Sequence, residues 1–331
     1  MIRTSKRTFL CAIIVLTAVF TCSDVVAQGT AGFEILRLQT QPRGSALAGA
    51  LVADASQIEN IFYNPAGLAS ISKRIGTAGY MNYLMDIQSG YLAYADPSWP
   101  WGVWGVNLTY TNYGDFDGRS ETGEDLPDFS ASDVVLGAAF GKEIRKNLSV
   151  GGGAKFVYSD IEDYSGSALA FDLGGQYTLI EERLRLGAGI YNIGWTTNAY
   201  LSHKDDLPLY YRIGIWGVPR DLPANLYFSM TLYHEYADNY SLGNFSGSKF
   251  LDFLGDLYYG VGAEFHPMEA LYLRVGYDTK GLDQKVGTKK DGFAGLGMGI
   301  GVDAQAVRLD FCLASYGELG MVQRLALSGV F

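Results

Sequence analysis

The sequence predicts an all-β chain: a transmembrane antiparallel β-barrel of about fourteen strands, preceded by a small N-terminal helical hatch or plug segment. Three observations predict it. From Lys73 to Phe331, short segments alternate apolar and polar residues, the period of a sheet with one face in lipid and the other in a lumen. The connections between these segments run short, then long, then short again. Beyond Ala27 no apolar run approaches the roughly 20 residues that a membrane helix needs, although 48% of the residues are hydrophobic and the mean hydropathy is +0.06. Only a helix or a closed sheet satisfies its backbone polar groups inside lipid, so a closed sheet remains. The 42 glycines and 23 tyrosines suit a twisted barrel with many turns and aromatic girdles.

Residues 1–27 read as a signal peptide. Arg3, Lys6 and Arg7 precede an apolar stretch from Phe9 to Phe20, and Val25-Val26-Ala27 offers small residues for cleavage. A lipoprotein cut before Cys22 is disfavoured, because Val19-Phe20-Thr21 lacks the small residues of a lipobox. Cleavage after Ala27 leaves Cys312 as the sole cysteine, so no intramolecular disulfide forms. It also removes three cations and Asp24, taking the formal charge from −10 to −12. An acidic chain of this kind excludes nucleic acid as a partner class.

Residues 28–72 differ in composition from the barrel at 73–331. Small side chains at Ser45, Ala46, Ala48, Gly49 and Ala50 permit a short helix packed close to other backbone, and Arg43 or Asp54 can pair with luminal charges. Pro65 biases Asn64 to extended geometry, and Gly67 can take φ > 0, so a fixed turn into the first strand is expected. Here a resemblance enters. Thr30-Ala31-Gly32-Phe33-Glu34-Ile35-Leu36, then Pro42-Arg43-Gly44-Ser45-Ala46-Leu47-Ala48-Gly49-Ala50-Leu51-Val52-Ala53-Asp54, then Phe62-Tyr63-Asn64-Pro65-Ala66-Gly67-Leu68-Ala69 resemble the N-terminus of the PorV/PorQ family, within the wider FadL-like outer-membrane barrels. That family usually has glycines where this chain has Ala46 and Ala48.

The strands are expected at 73–84, 87–95, 101–112, 131–142, 147–159, 166–179, 183–193, 207–217, 223–237, 257–266, 270–279, 291–301, 304–315 and 319–331. Alternation is clearest late in the chain. Leu226, Phe228, Met230 and Leu232 interleave with Tyr227, Ser229, Thr231 and Tyr233, and Leu271, Leu273 and Val275 with Tyr272, Arg274 and Gly276. Arg274, Asp278, Arg308 and Asp310 should therefore point inward. The longer connections, 113–130, 194–206, 238–256 and 280–290, all follow odd-numbered strands. With an even strand count, both termini then fall on the short-turn, periplasmic side. Gly151-Gly152-Gly153 lies within a strand and marks a bend or bulge rather than a phosphate loop. Terminal Phe331 on an alternating strand looks like the signal read by barrel-assembly machinery.

No catalytic constellation stands out. His203, His234 and His266 are scattered, no serine has a defined base, and the acidic loop 113–130 lacks the ligand spacing of a calcium loop. The chain is therefore expected to be non-enzymatic, with no cofactor and no metal, and to sit in the cell outer membrane with lipid around it. The resemblance implies a type IX secretion component that binds or shuttles secreted cargo by its C-terminal signal domain. Arg43, Asp54, Asn64, Pro65 and Gly67 would then set the hatch. Trp195 and Tyr200 in one outer loop, and Phe245, Phe250 and Phe253 in another, would anchor a protein partner. The alternative is a FadL-like transporter of hydrophobic small molecules, its lumen lined by residues such as Tyr227, Tyr233 and Tyr272.

Overall fold

The computed structural model describes residues 32–120, 125–200, 204–234, 254–284 and 292–331. Residues 1–27, expected as a signal peptide, and Phe245, Phe250 and Phe253 lie outside the described residues. Fourteen antiparallel strands close into one barrel. They are β1 Ile75–Asn82, β2 Gln88–Asp96, β3 Val103–Arg119, β4 Asp125–Arg145, β5 Leu148–Ile161, β6 Tyr164–Ile180, β7 Leu184–Asn198, β8 Tyr210–Gly217, β9 Ala224–Tyr233, β10 Tyr258–Met268, β11 Leu271–Asp278, β12 Leu296–Ala304, β13 Val307–Ser315 and β14 Met321–Val330. Each pairs with its neighbours in sequence, and β1 closes on β14 from Ile75↔Val330 to Asn82↔Gln323.

The period-2 pattern sorts the side chains as lipid and lumen require. Leu273, Val275, Met298, Ile300, Leu325 and Leu327 are exposed on the outer wall, while Arg274, Asp310, Arg324 and Glu264 are buried inside. A closed ladder with an apolar outside and a polar inside is a membrane-spanning barrel of the outer-membrane type. Loops sort as expected by end. Residues 199–209, 234–257 and 279–295 follow β7, β9 and β11, whereas β10–β11 and β12–β13 are joined by 269–270 and 305–306.

Three local expectations are corrected. The stretch 113–130 is mostly strand: β3 and β4 continue past the lipid band and pair to Arg119↔Asp125. Its alternation is masked by acidic residues because both faces there meet water. Gly151-Gly152-Gly153 carries no bulge, since β5 pairs in continuous register with β6 through all three. The first described residue is also not on the short-turn side. Gly32 donates its N–H to Asp206 O at 3.0 Å, in the long β7–β8 connection, whereas Phe331 donates to Arg74 O at the opposite end.

Residues 32–72 therefore run down the lumen from the long-loop end to the short-turn end. They begin with a 3-10 turn at Glu34–Arg37, continue through α1 Pro42–Ala46 and α2 Asn60–Tyr63, and end in a 3-10 turn at Pro65–Ser70. Pro42 and Pro65 open their turns where a missing N–H costs nothing.

Candidate functional site

The site is the junction between this internal segment and the barrel wall. The wall meets it with glycine. A Cβ on Gly187 of β7 would lie 2.1 Å from Val52 O, on Gly151 of β5 2.4 Å from Ala66 N, and on Gly297 of β12 2.5 Å from Ser45 O. Similar approaches occur at Gly141 on β4 and Gly276 on β11, while Gly174 on β6 faces the Asn64 side chain and Gly214 on β8 the Val52 side chain. The hatch backbone thus rests directly on the sheet, closer than any side chain permits. Alternation brings these glycines inward; no short motif marks them, so sequence reading took them for turn formers.

Toward the short-turn end, an ion network ties hatch to wall. Arg43 on α1 bonds Asp54 at 2.8 Å, Glu264 of β10 at 3.1 Å and Tyr227 Oη of β9 at 2.9 Å. Arg274 reaches both Glu264 and Asp310 at 2.6 Å, and Arg308 pairs with Asp310 at 3.1 Å while lying 4.3 Å over the Tyr272 ring. Of these, Arg43 and Asp54 were expected to find luminal charges; Glu264 was missed because one acidic residue in a strand carries no local signal. Nearby, Glu59 is buried and its Oε2 has no hydrogen-bond partner among the described residues. Burial pushes its carboxyl above the usual carboxylate range, against the opposing pull of Arg43.

The second predicted group fixes the turn. Asn64 is extended, at φ −163°; its Oδ1 accepts from Ala66 N at 3.1 Å and its Nδ2 donates to Val52 O at 2.6 Å and Gly175 O at 3.3 Å. Gly67 does not take positive φ, contrary to the sequence reading. It must be glycine for space: a Cβ there would meet Asn60 Cγ at 2.6 Å and Asp54 O at 2.7 Å. The left-handed residues of the segment are instead Phe33 at φ 55°, Ala48 at φ 56°, Gly49 at φ 66° and Ser56 at φ 69°. Ala48 carries a cost of about 1–2 kcal/mol that glycine would avoid, and the Gly49 carbonyl it turns outward accepts from Arg212 Nη1 at 3.3 Å.

Toward the long-loop end the segment is apolar. Phe33 and Ile35 pack with Val135, Val157, Ala168, Ala170 and Leu207, and Tyr200 stacks on Phe33 at 5.9 Å. Tyr200 thus folds over the mouth. Trp195 is not in a loop: it lies within β7, 56% exposed on the outer wall and 6.0 Å from Phe171. Two cavities border the 35–41 stretch. One of about 80 Å³ lies between it, Phe62 and Tyr63 of α2 and the inner wall of β3–β5 and β8–β9, and one of about 290 Å³ opens under the β1–β2 and β13–β14 turns, with Tyr83, Ile87, Tyr113 and Tyr316 in its wall.

No family model matches the chain, and no curated protein matches it. Solved barrels do. The chain is similar to the CymD monoaromatic hydrocarbon channel, with TM-score 0.59 at 12% identity over 88% of this chain and 97% of that one. It is similar to the Pseudomonas putida toluene transporter TodX, with TM-score 0.58, 12% identity and the same coverages of 88% and 97%. At such identity the likeness is one of fold, a closed fourteen-strand antiparallel barrel in this chain.

Proposed function

We propose that this barrel passes small, largely apolar molecules across the outer membrane, with residues 32–72 as its internal closure. The observation that carries this reading is the 290 Å³ cavity on the long-loop side, where the tyrosines at 83, 113 and 316 and the aliphatic Ile35, Leu38 and Ile87 share the wall with a few charged groups, Glu34, Arg37, Asp278 and Lys280. A cavity of about 150 Å³ already takes benzene, so by size this one accommodates a ring with substituents. The neighbours of similar fold, a monoaromatic hydrocarbon channel and a toluene transporter, support the same direction. Below the cavity the hatch rests against the glycine wall and the ion network. Passage then requires the hatch to shift.

Purified barrel in proteoliposomes should accelerate entry of a small substituted benzene over protein-free vesicles. It should not accelerate entry of a sugar of similar mass. Absence of both binding and uptake of apolar compounds would refute the reading. The secretion role rests on the N-terminal motif resemblance, and capture of a cargo C-terminal domain by a barrel that takes up nothing would favour it instead.

A further inference from the structure

At the 290 Å³ cavity, the last residue of β11, the residue before β12 and the last residue of β13 stand side by side. Asp278 donates its N–H to Gly295 O at 2.9 Å, and Gly295 donates its own to Ser315 O at 3.0 Å. All three line the cavity, and Tyr316 follows them in its wall. Two strand spacings, about 10 Å, therefore separate the backbone of Asp278 from that of Ser315. The floor between them carries no side chain. Gly295 is left-handed at φ 86°, and a Cβ on it would lie 2.1 Å from Asp278 O; one on Gly281 would lie 2.3 Å from Gly295 N. Tyr316 and Tyr83 close the far side, edge to face with centroids 5.3 Å apart, and Tyr316 Oη accepts from Arg324 Nη2 at 3.1 Å.

The charges of this cavity balance. Glu34 is bonded to Arg37 at 3.1 Å, and Asp278 is acted on by both Arg212 and Lys280. Neither of these two side chains bonds it directly among the described residues. Arg212 is engaged by Thr231 Oγ1 at 2.8 Å and the Gly49 carbonyl at 3.3 Å, and Lys280 Nζ lies 5.1 Å from the centroid of the Tyr233 ring. Asp278 Oδ1 accepts from the backbone N–H of Lys280 at 2.8 Å, while Oδ2 holds no hydrogen bond among the described residues. A charged ligand gains little where the field is already balanced. A neutral O–H gains a charge-assisted bond at that oxygen.

We infer that this cavity binds a neutral ring bearing a hydroxyl, a simple phenol, whose O–H donates to Asp278 Oδ2 while the ring lies over Gly281 and Gly295 against Tyr316 and Tyr83. Such selection rests on the proposed passage of small, largely apolar molecules and narrows them to hydrogen-bond donors. A hydrocarbon of the same shape covers the carboxylate oxygen without supplying a proton, which costs the bond that water would have made. A phenol titrates near pH 10, as the tyrosine side chain does at about that value, so it enters neutral at pH 7.

The test compares phenol, anisole, toluene and benzylammonium at pH 7 by calorimetry and by proteoliposome uptake, using the full mature barrel. Anisole keeps the oxygen of phenol but not its proton. Phenol should bind about tenfold tighter than anisole, a hydrogen bond to a charged group set against one extra methyl. Asp278→Asn should remove most of that advantage and leave toluene binding unchanged, with the heat-modifiable barrel intact. Should that variant fail to fold, the comparison of phenol with anisole on the wild-type barrel decides alone. Equal binding of phenol and anisole by the wild type, or an undiminished phenol advantage in folded Asp278→Asn, would overturn the inference. Tighter binding of benzylammonium than of phenol would overturn it in favour of a cationic ligand. If toluene is still taken up in any of these cases, the passage reading survives alone; if none of the four binds or enters, both fail.

Discussion

Glu59 is the buried group from which a pH response of the hatch is expected. It sits just before α2 with Oε2 unpartnered among the described residues, and burial raises its carboxyl above the ordinary range. A carboxyl raised in the folded state binds a proton more tightly there than in the unfolded chain. Its stabilisation is therefore complete below the unfolded value and is lost as pH rises through the folded one. Glu59→Gln keeps the neutral hydrogen-bonding form at every pH. Its hatch should resist protease at pH 8 as well as at pH 5, whereas the wild-type hatch should become more sensitive toward pH 8. Identical pH profiles for the two proteins would show that Glu59 does not govern this response. The residue was not legible in advance, because one Glu beside an apolar helix gives no sign of being enclosed. Arg43 and Asp54 were legible as charges in a small-residue stretch, and Glu264 became their partner only once β10 was placed.

At the scale of elements, the wall glycines decide whether the hatch can seat. Gly187 on β7 faces Val52, with 2.1 Å between a built Cβ and the carbonyl oxygen, and backbone on both sides cannot yield. Gly187→Val should therefore leave the barrel folded and heat-modifiable but expel the hatch, raising its protease cleavage and the vesicle leak. A hatch as resistant as wild type in that variant would mean that the close approach is dispensable. The strands themselves were readable because lipid and lumen impose opposite polarity on alternate residues. Leu273 exposed and Arg274 buried is that rule in two residues. What failed was the part of the chain where both faces are wet: Asp115, Asp117 and Asp128 concealed the extension of β3 and β4. Trp195 was assigned to a loop for the same reason, since β7 continues to Asn198.

At the scale of the whole molecule, loop sorting gave the orientation of the wall but not the path of the chain inside it. Even strand number places the ends of β1 and β14 together at the short-turn side, and Phe331 bonding Arg74 agrees. The hatch breaks the symmetry, because Gly32 is held at the other end by Asp206 and the segment crosses the lumen before β1 begins. Nothing in a linear sequence distinguishes a segment lying beneath a barrel from one threaded through it, since both bury small and apolar residues. Labelling distinguishes them. Cleavage at the expected site leaves Cys312, which is buried, so single cysteines introduced elsewhere report alone. Glu34→Cys, at the exposed start of the hatch, and Asp163→Cys, in the β5–β6 connection, should both react with an impermeant maleimide on intact cells. Ser70→Cys, at the far end of the hatch, and Glu181→Cys, in the β6–β7 turn, should react only after the outer membrane is opened. If Glu34→Cys followed Ser70→Cys while Asp163→Cys still reacted from outside, the hatch would lie on the periplasmic side and both cavities would lose their hatch wall.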